Sequence, residues 1–245
     1  LLIFECQIKS SLFFYVYFAA RTALQSNSIL FSMPLFYQQN INATTKMAVW
    51  AIEEPLSFFE SKLKNGKQRT EQIMHPIKKI QHLAARLLLQ ELAPHLNLDN
   101  IVYASNGKPF IKNENTYFSL SHCNGWAACV ISENAAVGID IEIIHERIKK
   151  VATKFLHSTE LEKINTLTKI PSLVQLTLCW AMKEAMYKMY EKMGIDFAEQ
   201  LRVENIPFAQ KGITTASIIS EASCEEVEIH YEQRDNLVWA VCLNE

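Results

Sequence analysis

The sequence predicts an α+β fold in two halves, each with one long helix and mostly antiparallel strands. Three observations carry this. Short β-rich runs recur at Met47–Ile52, Tyr117–Ser121, Trp126–Ser132 and Ala136–Ile144, and again through the C-terminal tail. Two long helical patterns, Pro76–Ala93 and Leu173–Met193, fall between them. Of 245 residues, 49% are hydrophobic and 20% charged, which is enough apolar surface for packed cores and unlike a disordered chain.

The elements follow in order. Leu56–Leu63 is expected to be a short helix. In Pro76–Ala93, apolar residues at Ile77, Ile80, Leu83, Ala84, Leu87 and Leu88 keep helical spacing. Pro76 suits the first turn and Pro94 marks the end. Ile101–Ser105 and Pro109–Ile111 flank Asn106-Gly107-Lys108, a hairpin turn signal. Thr159 with Glu162 predicts a capping box that opens a helix at Glu160. Leu173–Met193 runs without Pro or Gly until Gly194 closes it. The tail returns to strands at Thr215–Ile219, Glu226–Tyr231 and Leu237–Leu243. Residues 47–136 form the expected N-terminal half and residues 137–245 the C-terminal half.

Residues 1–46 are expected to be an extension. The first 32 carry only Glu5, Lys9 and Arg21 as charges, and the chain begins with Leu1. The apolar run Leu12–Ala20 is about half of the ~20 residues a membrane span needs. The flank before it lacks the basic region of a signal peptide. Upstream translated sequence, with a start at Met33 or Met47, is favoured over a signal peptide or an extra helix.

The formal net charge of -2 argues against non-specific nucleic-acid binding, which depends on neutralised phosphates. The six cysteines form no CxxC pair and lie in apolar runs. That fits reduced buried thiols in a cytoplasmic protein better than a zinc site.

Three polar clusters stand out. In Val137–Ile143 the alternation puts Ile139, Ile141 and Ile143 on one strand face and Asp140 and Glu142 on the other. Neighbouring carboxylates suit Mg²⁺, a hard cation that takes one or two of them plus phosphate oxygens. An isolated Asp-x-Glu is more often a solvated strand face. Trp180, Glu184 and Lys188 lie four residues apart on one helix stripe, with Lys183 beside them. Alone, that pattern reads as a surface Glu184–Lys188 pair beside a core tryptophan. Ser121 and His122 end a strand before a turn, where a His can reach a phosphate or simply be a polar turn residue.

Together these motifs resemble the 4'-phosphopantetheinyl transferase superfamily, in the larger monomeric type similar to the surfactin-synthetase-activating enzyme. The resemblance rests on GKP at Gly107–Pro109, SLSH at Ser119–His122, GIDIE at Gly138–Glu142, FLHSTE at Phe155–Glu160 and WAMKEAMYK at Trp180–Lys188. The order and spacing match; Leu156-His157 departs from the usual pattern. The resemblance implies a pseudo-twofold pair of similar α+β halves with the active site at their junction. It implies transfer of the phosphopantetheine arm of coenzyme A to a serine of an acyl or peptidyl carrier protein, with release of adenosine 3',5'-bisphosphate. By motif, Asp140, Glu142 and Glu184 would hold Mg²⁺, and Lys188 would contact the pyrophosphate. Lys108, Ser121 and His122 would contact coenzyme A phosphates, and Lys78 and Arg86 the nucleotide's phosphate. Glu160, Glu184 or a metal-bound water would be the base. A monomer in the cytoplasm, without nucleic-acid or membrane partners, is the corresponding expectation. The alternatives are a non-catalytic relative that binds coenzyme A or a carrier protein, and an unrelated Mg²⁺-dependent phosphate-ester enzyme. Carrier proteins are commonly acidic, so Arg147, Lys149 and Lys150 are the candidate docking cluster.

Overall fold

The computed structural model describes residues 35–166, 172–190, 192–207 and 209–244. The expectations for residues 1–32 lie outside the described residues. Strands are β1 Leu35–Asn40, β2 Thr45–Ala51, β3 Ile101–Tyr103, β4 Pro109–Ile111, β5 Tyr117–Cys123, β6 Trp126–Ser132, β7 Val137–Ile143, β8 Leu201–Val203, β9 Lys211–Ile219, β10 Cys224–Arg234 and β11 Leu237–Leu243. Helices are α1 Leu56–Lys62, α2 Pro76–Leu92, α3 Ala152–Phe155, α4 Ser158–Thr166 and α5 Ser172–Tyr190.

One sheet has the order β1-β2-β6-β5 and a second β7-β11-β10-β9-β8, with β3-β4 as a separate hairpin. All these pairings are antiparallel, as the α+β class requires. The same plan occurs twice. In β2-β6-β5 and in β7-β11-β10, the first strand of the set pairs with the last, and a long helix follows the first strand in sequence. Helix α2 lies against β2, β5 and β6, and α5 against β7 and β11. Between the sheets, Met47, Val49, Ala128 and Val130 meet Val137, Ile139, Ile141, Trp239 and Val241 in one buried cluster. The odd-numbered face of β7 is therefore core, as its alternation predicts. The even-numbered face, with Asp140 and Glu142, turns toward α5.

Gly138 makes that approach possible. A Cβ there would overlap the Ala185 carbonyl oxygen of α5 and sit 2.8 Å from the Met189 nitrogen. Both are backbone atoms of a packed helix, so neither can swing aside. Gly138→Ala should force α5 off β7 at a cost of about 3 kcal/mol or more, the upper end for overpacking. Thermal unfolding would show it, and a melting temperature like that of the unaltered protein would disprove this account of Gly138.

Strand β1 was not expected. It falls in the segment assigned to the extension, and the sequence shows no clear alternation there. Its register on β2 carries an irregularity between Leu35 and Tyr37. Phe36 packs edge-on against Trp126 at 4.7 Å between ring centroids, and Tyr37 lies 5.2 Å from Trp239. A chain begun at Met33 keeps this strand; one begun at Met47 loses it. The shorter form should lose about 2–4 kcal/mol, since each aromatic buried is worth roughly 1.5–3 kcal/mol before chain entropy is subtracted. Equal denaturant midpoints for the two forms would refute this.

The cap of α4 also differs from expectation. The capping box is not Thr159 with Glu162. His157 precedes the helix; its Nδ1 accepts from the Thr159 amide at 3.3 Å, and its own amide donates to Glu160 Oε2 at 2.7 Å. The box shifts by two residues because Glu160, not Glu162, is the acid drawn inside.

Candidate active site at the junction of the two halves

Strand β7 pairs with β11 along one edge. Its other edge meets β5 through side chains. The Ile139 amide donates to Ser119 Oγ at 3.2 Å and the Ile141 amide to Ser121 Oγ at 3.4 Å. The SLSH motif thus satisfies two backbone donors of the neighbouring half, which would otherwise be costly once buried.

Asp140 is buried, 4% exposed, and its two oxygens have different fates. Oδ1 takes the Lys188 ammonium at 2.6 Å and the Ser121 hydroxyl at 2.8 Å. Oδ2 is buried without a hydrogen-bond partner. Lys188 also donates to Ser121 Oγ and to the Ile139 carbonyl, each at 3.0 Å. The surface Glu184–Lys188 pair considered from the sequence is therefore replaced by a cross-element pair with Asp140.

Glu142 and Glu184 are half-buried. Burial, with the nearby Asp140 and Glu184 charges, pushes the Glu142 carboxyl up to about 7 against the pull of Trp180 and Lys188. Burial and Asp140 likewise raise Glu184. The Asp140 charge acts on both glutamates, so the structure brings the three sequence-predicted residues near one another. The indole N–H of Trp180 donates to Glu142 Oε1 at 3.0 Å. Its ring lies between those of Phe155 and Phe197, at 5.1 and 5.8 Å. The helix stripe places Trp180 beside Glu184, but nothing local in the sequence indicates that its N–H holds Glu142.

The residues fit a divalent cation in donor chemistry. A bare buried carboxylate oxygen and two carboxyls of raised proton affinity are what a hard cation would relieve. Among the described residues no group of three or more His, Cys, Asp or Glu side chains is already set to hold a metal ion. The ammonium of Lys188 supplies the positive charge here instead.

Glu160 does not join this group as an accessible base. It is 2% exposed, and Lys183 Nζ lies 2.6 Å from its Oε2. Oε2 also accepts from His157, and Oε1 accepts from the Val203 amide at 2.8 Å. Lys183 additionally donates to the Phe155 and Phe197 carbonyls at 2.7 and 2.9 Å. Both partners are consumed in bracing α3, α4 and β8 against α5. Glu184, the other side chain named for proton abstraction, has its proton affinity raised by burial and Asp140.

The cationic residues gather on the side of β5 and α2. Burial and the charges of Lys78, Lys188 and Arg86 lower the proton affinity of His122. Burial and the Arg86 and His122 charges push His82 down to about 4. Lys78, Arg86, His122 and Lys188 therefore share one positive field, as an anion site needs. Arg86 is buried and donates to the Tyr103 hydroxyl at 2.6 Å. His122 Nδ1 is buried without a partner. Lys108 and Lys188 line one cavity of about 230 Å³, between the 106–109 turn, β5 and Tyr187 of α5. The Ser121 hydroxyl is bonded to Asp140 and Lys188.

The model of the 4'-phosphopantetheinyl transferase superfamily matches residues 136–242, which contain β7, α5 and both the GIDIE and WAMKEAMYK motifs. Over this segment the chain is similar to that superfamily. The 4'-phosphopantetheinyl transferase gsp of Aneurinibacillus migulanus is 33% identical over 114 residues, covering 45% of this chain and 47% of that protein. A Haemophilus influenzae protein that carries the same transferase name provisionally is 27% identical over 143 residues, covering 56% and 59%. The chain spans about half the length of the curated relatives it matches. The matched segment supplies all three carboxylates and Lys188. Ser121, which donates to Asp140, and His122 and Arg86 come from the preceding residues.

Among the described residues no helix is long and apolar enough to cross a membrane. The described cysteines are free, and burial pushes the Cys123 thiol up to about 12.

Proposed function

We propose that this chain transfers the 4'-phosphopantetheine arm of coenzyme A to a serine of an acyl or peptidyl carrier protein, with Mg²⁺, releasing adenosine 3',5'-bisphosphate. The observation that carries the reading is the bare, buried Oδ2 of Asp140, whose charge raises the proton affinity of Glu142 and Glu184, with its partner Lys188 lining the same cavity as Lys108. Asp140, Glu142 and Glu184 would hold the cation, which when bound polarises pyrophosphate oxygens and offsets their growing charge. Lys188 and Lys108 would orient the pyrophosphate, and Lys78, Arg86 and His122 the remaining phosphate. Glu184 would take the proton of the serine hydroxyl.

Mass spectrometry tests this directly. An apo carrier protein incubated with the enzyme, coenzyme A and Mg²⁺ should gain one phosphopantetheine group. Binding of coenzyme A without transfer would instead mark a non-catalytic relative.

The docking surface gives a separate prediction. Arg147, Lys149 and Lys150 lie exposed on the turn 146–150 that follows β7, and Lys149 pairs with Glu146 at 2.9 Å. Val151 beside them is 37% exposed. An acidic carrier would meet a basic rim around an apolar contact. Reversing all three to Glu should raise KM for the carrier about tenfold at low salt, mostly through association, and leave coenzyme A binding intact. An unchanged carrier KM at low salt would reduce the cluster to a solvated loop.

A further inference from the structure

We infer that Trp180 is a positioning residue: its indole N–H, fixed by the rings of Phe155 and Phe197, aims the carboxylate of Glu142 at the cation. An indole has one N–H to donate and nothing to accept with. That hydrogen goes from α5 to Glu142 Oε1 on β7, at 3.0 Å. The donor is neutral, so it holds the carboxylate without cancelling its charge. Asp140, by contrast, is held by the Lys188 ammonium at 2.6 Å. A glutamate also has one more rotatable bond than an aspartate, so it loses more freedom when a cation fixes it. A group that already holds one of its oxygens removes part of that cost before the cation arrives.

The direction of the N–H is set by what surrounds the ring. Phe155 meets it edge-on at 5.1 Å, with 67° between the planes, and Phe197 lies 5.8 Å away at 32°. Phe197 packs in turn on Tyr187 at 5.4 Å. The backbone carbonyls of the same two phenylalanines both accept from Lys183 Nζ, at 2.7 and 2.9 Å. Lys183 stands three residues beyond Trp180 on α5 and is fully buried, with Glu160 anchoring it at 2.6 Å. One buried ammonium therefore ties together the two segments whose rings hold the indole. The Lys183–Glu160 pair acts on the carboxylate cluster through this ring. With Oε1 taken by Trp180, Oε2 of Glu142 would be the oxygen turned to the cation. Hydrogen bonds that orient a ligating group typically matter ten- to a hundredfold in metal affinity.

This inference rests on the proposed metal reading, and Mn²⁺ alone is the probe. Binding of Mn²⁺ to the free protein would be followed by electron paramagnetic resonance, and binding of coenzyme A without metal by calorimetry. Trp180→Phe keeps an aromatic ring beside Phe155 and Phe197 but has no donor. It should weaken Mn²⁺ about ten- to a hundredfold and leave metal-free coenzyme A affinity unchanged. Phenylalanine is smaller, so a second variant separates the hydrogen bond from the packing. Trp180→3-benzothienylalanine puts sulfur in place of the N–H and keeps the shape of the ring. It should weaken Mn²⁺ to the same degree, with a melting temperature close to that of the unaltered protein. Unaltered protein that binds Mn²⁺, with the benzothienyl variant binding it equally well, overturns this inference alone, since any loss in Trp180→Phe is then one of packing. A parallel loss of metal-free coenzyme A affinity in the benzothienyl variant overturns it too, because the whole site would then have moved. Unaltered protein that binds no Mn²⁺, with or without coenzyme A, overturns the metal reading and this inference with it.

Discussion

Lys183→Met will destabilise the protein by about 3–5 kcal/mol, the usual result when one partner of a buried ion pair is removed. The remaining carboxylate of Glu160 is 2% exposed and cannot recover its hydration. Two backbone carbonyls, those of Phe155 and Phe197, lose their donor in the same step. Burial lowers the proton affinity of Lys183 while Glu160 raises it, so the ammonium is held by its partner against its surroundings. Glu160→Gln should act in the same direction and leave the Lys183 charge unpaired. Denaturant unfolding measures both. A loss below about 1 kcal/mol for Lys183→Met, the range of an exposed pair, would show that water reaches the site. If Glu160 were instead the catalytic base, Glu160→Gln would leave stability near normal and remove turnover alone.

Asp140→Ala will lower carrier modification roughly a thousandfold, because polarisation of the pyrophosphate by a bound cation is worth several kcal/mol and each 1.36 kcal/mol is tenfold. The fold should hardly notice. Asp140 sits among like charges, and its removal relieves Glu142 and Glu184 while costing the Lys188 pair. Glu184→Gln should be as damaging to turnover and should stabilise the free protein slightly near pH 7. The sign follows from linkage. The Glu142 carboxyl titrates at about 7 in the folded protein and at about 4.5 unfolded. Between those values the folded state holds more protons, so stability falls as pH rises through that window. A pH series of melting temperatures on the free protein should show that fall, flattened in Glu142→Gln. Near-normal turnover of Asp140→Ala at saturating Mg²⁺ and coenzyme A would show the metal assignment to be wrong.

Several features were legible in the sequence because they depend on backbone period alone. The alternation in Val137–Ile143 separates core isoleucines from Asp140 and Glu142 whatever the strand packs on. The unbroken helix over Leu173–Met193 carries Glu184 and Lys188 on one stripe, and the structure confirms it over Ser172–Tyr190. The turn at Asn106–Lys108 needs a left-handed residue, and Gly107 adopts it with φ 84°. Strand β1 was hidden for the opposite reason. Its burial pattern is mixed, and its pairing with β2 comes from aromatic contacts to Trp126 and Trp239, residues far along the chain.

What the sequence determined by itself, then, was the α+β class, the two long helices and the strand face that carries Asp140 and Glu142. Tertiary structure alone decided who pairs with whom. Lys188 chose Asp140, 48 residues away, over Glu184 one turn back. Glu160 became the buried partner of Lys183, 23 residues away. Trp180 turned its N–H to Glu142, and Ser121 turned its hydroxyl to Asp140. The physical reason is common to all four. Period and turn chemistry are properties of a few consecutive residues. The partner of a polar group is set by which other groups lose their water beside it, and folding alone determines that.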